Sequence, residues 1–252
     1  MIPWKVELHD ELGSTNDRAW EIGGAEPTAV IARTQTRGRG QHGRTWSSPA
    51  GTGLYVSYVW RPDVHPSRLP MIPLAAGLAV VDAVPGAPLT LKWPNDVWVQ
   101  GGSRDGCKVA GILAEGSAGT DGVAFMVVGV GLNLLTDSAR AAPSARPCSL
   151  EELGLDPVAM VAGDDLLRGW AQRLGARLAA RVAQDDATLV RDWTQRAYGL
   201  SRLARWTDGK AHIVGTVRGV EPSGGLQLAT ESGLRVVHHG RIEAFLATGD
   251  MD

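Results

Sequence analysis

The segment running from Arg33 to Trp46, which reads RTQTRGRGQHGRTW, holds the residues most able to do chemistry in this chain. Four arginines (Arg33, Arg37, Arg39 and Arg44) and three glycines fall within it, and no Asp or Glu occurs between Glu26 and Asp63. Glycines let backbone N–H groups approach an anion closely, and guanidinium forks match phosphate or carboxylate oxygens. Such a loop suits wrapping an anionic small molecule; a solvated basic loop that touches nucleic acid is the plainer alternative.

Three further groups stand out. Ser14-Thr15-Asn16-Asp17 precedes an apolar segment ending at Ile22, which is a helix start and explains the hydroxyls as caps; the same hydroxyls also suit a polar, uncharged ligand group. Lys92-Trp93-Pro94-Asn95-Asp96 is a turn by composition, and Lys108 opens the otherwise apolar run Val109–Ala114. In the run from Val123 to Leu134, Gly129, Gly131 and Asn133 alternate with apolar residues and so share one face of a strand buried on both sides.

The elements that must position these groups follow from pattern. Val6–His9, Thr28–Ala32, Gly53–Trp60, two pieces flanking the Trp-Pro-Asn-Asp turn, Cys107–Glu115 and Val123–Leu134 read as strands, with Gly101–Gly106 a polar hairpin loop. Arg68–Val84 reads as an apolar helix with Pro70 and Pro73 near its start. Residues 136–147 read as a surface loop. From Leu150 the pattern turns helical: Leu166, Leu167, Trp170, Leu174, Leu178 and Val182 form a core stripe, and Asp186–Tyr198 is a second amphipathic helix. A boundary falls near Gly199, dividing residues 1–199 from a small all-β module over 200–252, where turn signals recur at short intervals.

At 252 residues, 44% hydrophobic and 21% charged, the composition is that of a soluble globular protein. The net charge of −2 argues against a dedicated nucleic-acid or membrane binder. The start lacks the form of a signal peptide. Cys107 and Cys148 form neither a disulfide framework nor a zinc site, which points to a reducing cytoplasm.

Taken together, the segments Ser14–Asn16, Gln35 with Gly38–Trp46, Lys92–Asp96, Lys108–Glu115 and Gly129–Asn133, in that order, resemble the biotin–protein ligases. The resemblance implies an α/β (α+β) catalytic domain, with a mixed central sheet and packed helices, followed by a small C-terminal β-barrel. It implies ATP with Mg²⁺ as cofactor, biotin as substrate, and a biotin carboxyl carrier domain as protein partner, with no DNA or membrane partner and a monomeric or homodimeric state. Biotin would meet Ser14, Thr15, Asn16 and Gln35 at its neutral ureido ring, and Arg39, Gly40, Gln41 and Lys108 elsewhere. The adenylate would meet Arg39, Arg44, Trp46, Lys92, Asn95, Asp96 and Asn133, with Gly129 and Gly131 clearing space. Lys108 and Arg39 would be the catalytic cations. Asn95 and Asp96 either orient Lys108 or bind magnesium, and no residue is assigned directly as a metal ligand.

Three features depart from the family pattern. Gln41 stands where relatives commonly carry Arg, the Gly101–Gly106 connection is longer than in many relatives, and no helix-turn-helix precedes Ser14, as expected for a short form without the DNA-binding domain. A lipoate ligase of the same fold is the nearest alternative activity; a non-catalytic adaptor or nucleic-acid binder is the alternative of another class.

Overall fold

The strand-forming runs of the first half pair into one seven-stranded mixed sheet. Residues 2–119, 122–136, 146–157 and 163–246 are described in this computed structural model. The sheet comprises β1 (Lys5–Leu12), β2 (Thr28–Gln35), β3 (Gly53–Trp60), β4 (Leu89–Lys92), β5 (Asp96–Val99), β6 (Lys108–Gly119) and β7 (Gly122–Asn133), in the order β1-β2-β3-β7-β6-β5-β4. Only β1 and β2 run parallel; the other neighbours are antiparallel.

The period-two alternation of β7 sorts its side chains as expected. Val128, Val130 and Leu132 join the main core with α2 (Ile72–Ala83) and α3 (Asp164–Val182). The opposite face carries α1 (Thr15–Ile22), whose Ala19 packs on Val30, Val59 and Val127. Gly129, Gly131 and Asn133 share this second face, which is where the cleft forms.

Several boundaries differ from the pattern reading. Pro66–Met71 is a 3₁₀ segment and α2 begins only at Ile72, because Pro70 cannot donate to an α-helical ladder and Pro73 fits only in the first turn. After Leu150 the described chain makes one 3₁₀ turn, Glu151–Leu153, and the long helix α3 starts at Asp164. Leu167, Trp170, Leu174, Leu178 and Val182 are buried as expected, but Leu166 is 43% exposed and does not belong to the stripe. The next helix, α4 (Asp186–Gln195), stops short of Tyr198 because Arg196–Tyr198 hydrogen-bonds along Leu91 and covers the β4 edge. The expected surface loop over residues 136–147 lies mostly outside the described residues.

A second, wholly antiparallel sheet follows, built from β8 (Leu203–Thr207), β9 (His212–Val220), β10 (Leu226–Thr230), β11 (Gly233–Val237) and β12 (Arg241–Phe245) in the order β11-β10-β9-β8-β12. Among the described residues β11 and β12 do not pair, so the small β-module is present but the expected barrel is not closed. The buried Trp93 indole donates to the Gly224 carbonyl at 3.0 Å, tying the module to the Trp-Pro-Asn-Asp turn. Among the described residues no helix is long and apolar enough to cross a membrane.

Candidate active site

A cleft of about 1110 Å³ opens on the α1 face of the large sheet, and every residue that the resemblance assigns to biotin or the adenylate lines it. Its floor exists because β6 and β7 carry glycines there. A Cβ on Gly131 would stand 2.4 Å from the Trp46 indole, and one on Gly111 would stand 2.8 Å from it. The C-terminal module forms part of the wall through Thr207, Asp208 and the stretch His239–Glu243.

One end of the cleft is uncharged and densely hydrogen-bonded. Ser14 sits in the N-cap position of α1, yet its side chain makes no capping bond, so capping does not explain the hydroxyls. Thr15 donates through its N–H (2.8 Å) and hydroxyl (3.1 Å) to Gln35 Oε1, and Gln35 Nε2 donates to Ser48 Oγ at 2.7 Å. The wholly buried Ser57 donates to Asn16 Oδ1 at 2.6 Å, while Asn16 Nδ2 donates to Glu115 Oε2 at 2.9 Å. Asn16 and Gln35 therefore spend their polar atoms on the protein and hold the shape of this end. The Ser14 hydroxyl has no partner among the described residues and remains available to a ligand.

The other end is cationic. Strict alternation would put Lys108 on the core face with Ala110 and Ile112, but the β5–β6 register shifts between Val97 and Trp98. The bulge turns Lys108 to the cleft face, where Nζ meets Asp96 Oδ1 at 2.6 Å and lies 5.2 Å from the Trp46 ring. The Gly101–Gly106 insertion folds outside this pairing, and Asp105 Oδ1 accepts from the Gly101 N–H within it. Asn95 is bound to β6, donating to the Ile112 carbonyl at 2.6 Å, so of the two turn residues it is Asp96 that holds Lys108. Asn133 donates to the Lys108 and Cys148 carbonyls, and its Oδ1 is buried with no partner among the described residues.

Lys92 lies over the Trp98 ring with Nζ 4.3 Å from the centroid. Burial pulls its ammonium down from 10.5 to about 8; Asp96 raises it, and Lys108, Arg241 and Arg44 lower it further. Below pH 8 both folded and unfolded chains hold this proton, and folding carries the full desolvation penalty. Between pH 8 and 10.5 the folded form releases it first, so the unfolded chain binds more protons and stability rises with pH. Lys92→Met is therefore expected to stabilise the protein at pH 7 by about 1–3 kcal/mol. Thermal melts across pH should show that gain shrinking from pH 8 upward; a gain independent of pH would contradict the cause assigned.

The glycine-rich loop is a small ordered hairpin. Gly40 N–H donates to the Arg44 carbonyl at 2.7 Å and Trp46 N–H to the Gly38 carbonyl at 2.9 Å; a Cβ on Gly38 would stand 2.4 Å from the Trp46 oxygen. Two of its arginines have carboxylate partners, brought from distant segments. Arg33 pairs with Asp10 and Asp164 away from the cleft, and Arg39 pairs with Asp17 (2.7 Å) and Glu115 (2.5 Å). Of the four arginines, only Arg39 and Arg44 line the cleft.

Among the described residues no group of three His, Cys, Asp or Glu could enclose a metal ion. Asp96 is a carboxylate at the cationic end, which fits a magnesium ion held chiefly by phosphate oxygens and water. Pattern reading missed Ser57, Glu115, Trp98 and the module's Arg241. The first two had a readable signal, a lone polar residue inside an apolar strand; Arg241 had none.

The chain is similar to known proteins in sequence and fold. The model of the biotin/lipoate A/B protein ligase family matches residues 13–133. The chain is 36% identical to the biotin–[acetyl-CoA-carboxylase] ligase of Mycobacterium tuberculosis, over 95% of this chain and 89% of that protein. It is 35% identical to the ligase of the same name from Paracoccus denitrificans, over 89% and 94%. The biotin protein ligase of Aquifex aeolicus, solved in complex with biotin and ATP, superposes with a TM-score of 0.72 at 28% identity, covering 94% of this chain and 97% of that one. Fold, cleft and similarity over nearly the whole length agree: the chain belongs to the biotin/lipoate A/B protein ligase family, among its biotin–protein ligases.

Proposed function

We propose that the protein activates biotin with ATP and passes the biotinyl group to a lysine of a biotin carboxyl carrier domain. The polarity of the cleft is the observation that carries this reading: a neutral hydrogen-bonding end suits a ureido ring, and a cationic end suits phosphates. Biotin's carboxylate oxygen attacks the α-phosphorus, the bond to the β-phosphate oxygen breaks, and pyrophosphate leaves, giving biotinyl-5′-AMP. The acceptor amine then attacks the acyl carbon, AMP departs with the bonding electrons, and the amine loses its proton.

In the first step two anions meet, so preorganised positive charge matters most. Lys108, aimed by Asp96 at the cationic end, supports stabilisation of the charge that develops on the α-phosphate. Lys92, Arg44 and Arg241 surround the phosphate end. Magnesium bound with ATP would add charge neutralisation there, beside Asp96. Ser14, whose hydroxyl is left open, is assigned to the ureido group, with Thr15, Asn16 and Gln35 holding the shape of that end. The unpaired Asn133 Oδ1 is the right acceptor for an adenine amino group. Gly40, Gln41 and Trp46 would cover the intermediate. We take residues 1–199 as the biotin and ATP domain and 200–252 as a module that completes the phosphate wall, and we assign the protein to the cytoplasm.

The test is ATP–pyrophosphate exchange with biotin or lipoate, followed by labelled biotin, ATP and a cell lysate. Biotin-dependent exchange and one labelled carrier-type protein are expected. Exchange with lipoate alone would overturn the biotin assignment.

A further inference from the structure

Besides the Trp46 indole seated on the glycine floor, the glycine-rich hairpin is tied to the body of the protein by Arg39, which stands between two carboxylates. Asp17 stands in the first turn of α1 and Glu115 on β6, so the partners come from two different rigid elements. They share the guanidinium by nitrogen: Nη1 goes to Asp17 Oδ1 and Nη2 to Glu115 Oε1. Glu115 is divided as well, since its other oxygen accepts from Asn16 in the neutral end of the cleft. Single exposed ion pairs contribute little, about 0–1 kcal/mol. Two carboxylates, one on each terminal nitrogen, also fix the direction of the planar fork.

With two anions at hydrogen-bond distance, the charge of Arg39 is already balanced. We propose that Asp17 and Glu115 are positioning residues for the ligase reaction: they hold Arg39 as a strut that keeps the hairpin closed over the cleft, and so set how long the adenylate stays bound. The adenylate half of this statement rests on the ligase reading above; the closure half does not.

The experiment has one arm for each. In the ligand-free protein, trypsin cleavage after the exposed Arg44 reports hairpin opening. With biotin and ATP, dissociation of preformed biotinyl-AMP reports retention. Asp17→Asn keeps the side chain's size and touches no other mapped partner, so it isolates the strut. It is expected to speed both cleavage and release about threefold to tenfold, the scale of one charge-assisted bond. Glu115→Gln should do the same and also weaken biotin binding through Asn16. In an Arg39→Ala background, Asp17→Asn should add nothing. Native cleavage and release in Asp17→Asn would overturn the proposal, as would a full effect persisting without Arg39. If only the release arm fails while cleavage accelerates, the strut stands and its link to the adenylate falls. Failure of the ligase reading would instead appear as absent biotin-dependent exchange in the native protein.

Discussion

Replacing Lys108 with alanine is expected to lower biotin-dependent ATP–pyrophosphate exchange by about 10²–10³-fold, the scale of losing one preorganised charge at a developing anion. The expectation follows from where the bulge in β6 puts Nζ: on the cleft face at the cationic end, 2.6 Å from Asp96 and above the glycine floor. Biotin affinity should change only a few-fold, because the groups at the neutral end do not touch Lys108. Alanine also strips Asp96 of its partner in a half-buried setting, so some loss of melting temperature is expected. Lys108→Arg separates the two effects. It keeps a cation beside Asp96 but carries it on a planar fork instead of a flexible stem, so it should melt like the native protein and still exchange at least about tenfold more slowly. A folded Lys108→Ala protein exchanging within tenfold of native would sink the assignment.

Gly129→Ala is expected to be the most damaging single-carbon change in the site. The new Cβ would stand 2.0 Å from Asn16 Oδ1, so the Asn16 side chain must leave. Its departure removes one bond from the wholly buried Ser57 hydroxyl, which keeps Thr15 Oγ1 at 2.8 Å, and one from an oxygen of Glu115, each bond contributing about 0.5–1.5 kcal/mol. Stability should fall by about 1–3 kcal/mol, and biotin affinity by about a hundredfold, because the neutral end loses its shape. The double variant Gly129→Ala with Asn16→Ala decides the cause. Removing the clashing side chain should recover part of the melting temperature while biotin affinity stays low. No recovery would mean that the glycine serves strand packing and not the Asn16 network.

Much of this site was legible before folding was considered. Residue types and their order pointed to an anion-wrapping loop, a hydroxyl-bearing helix start, a Lys-Trp-Pro-Asn-Asp turn and glycines alternating on one strand face, all of which line one cleft. Local periodicity is what made them readable: alternation in β7 is a property of the chain alone. Gly129, Gly131 and Asn133 could be assigned to one face for that reason, though not what they face.

The count of arginines misled in a specific way. No carboxylate lies near Arg39 in sequence, yet Asp17 and Glu115 flank it in space, and Arg33 is turned to Asp164 on another helix. Ion pairing across such separations depends on strand order, which pattern does not encode. The helix boundaries failed for related reasons: prolines shortened one helix, and the edge of β4 claimed the end of another.

What the sequence determined by itself was the chemistry on offer, the strand and helix periods, and a small all-β module after residue 199. These rest on local propensity, burial pattern and residue type, which act within a few residues. Only the tertiary structure decided that Lys108 faces the cleft, because a one-residue register shift inverts a strand's faces. It alone paired Asn16 and Gln35 with neighbouring side chains, left Ser14 and Asn133 with unpaired atoms, and brought Arg241 from the far module to the cationic end of the cleft. Those outcomes follow from long-range pairing, where groups far apart in the chain compete for the same few hydrogen-bond partners.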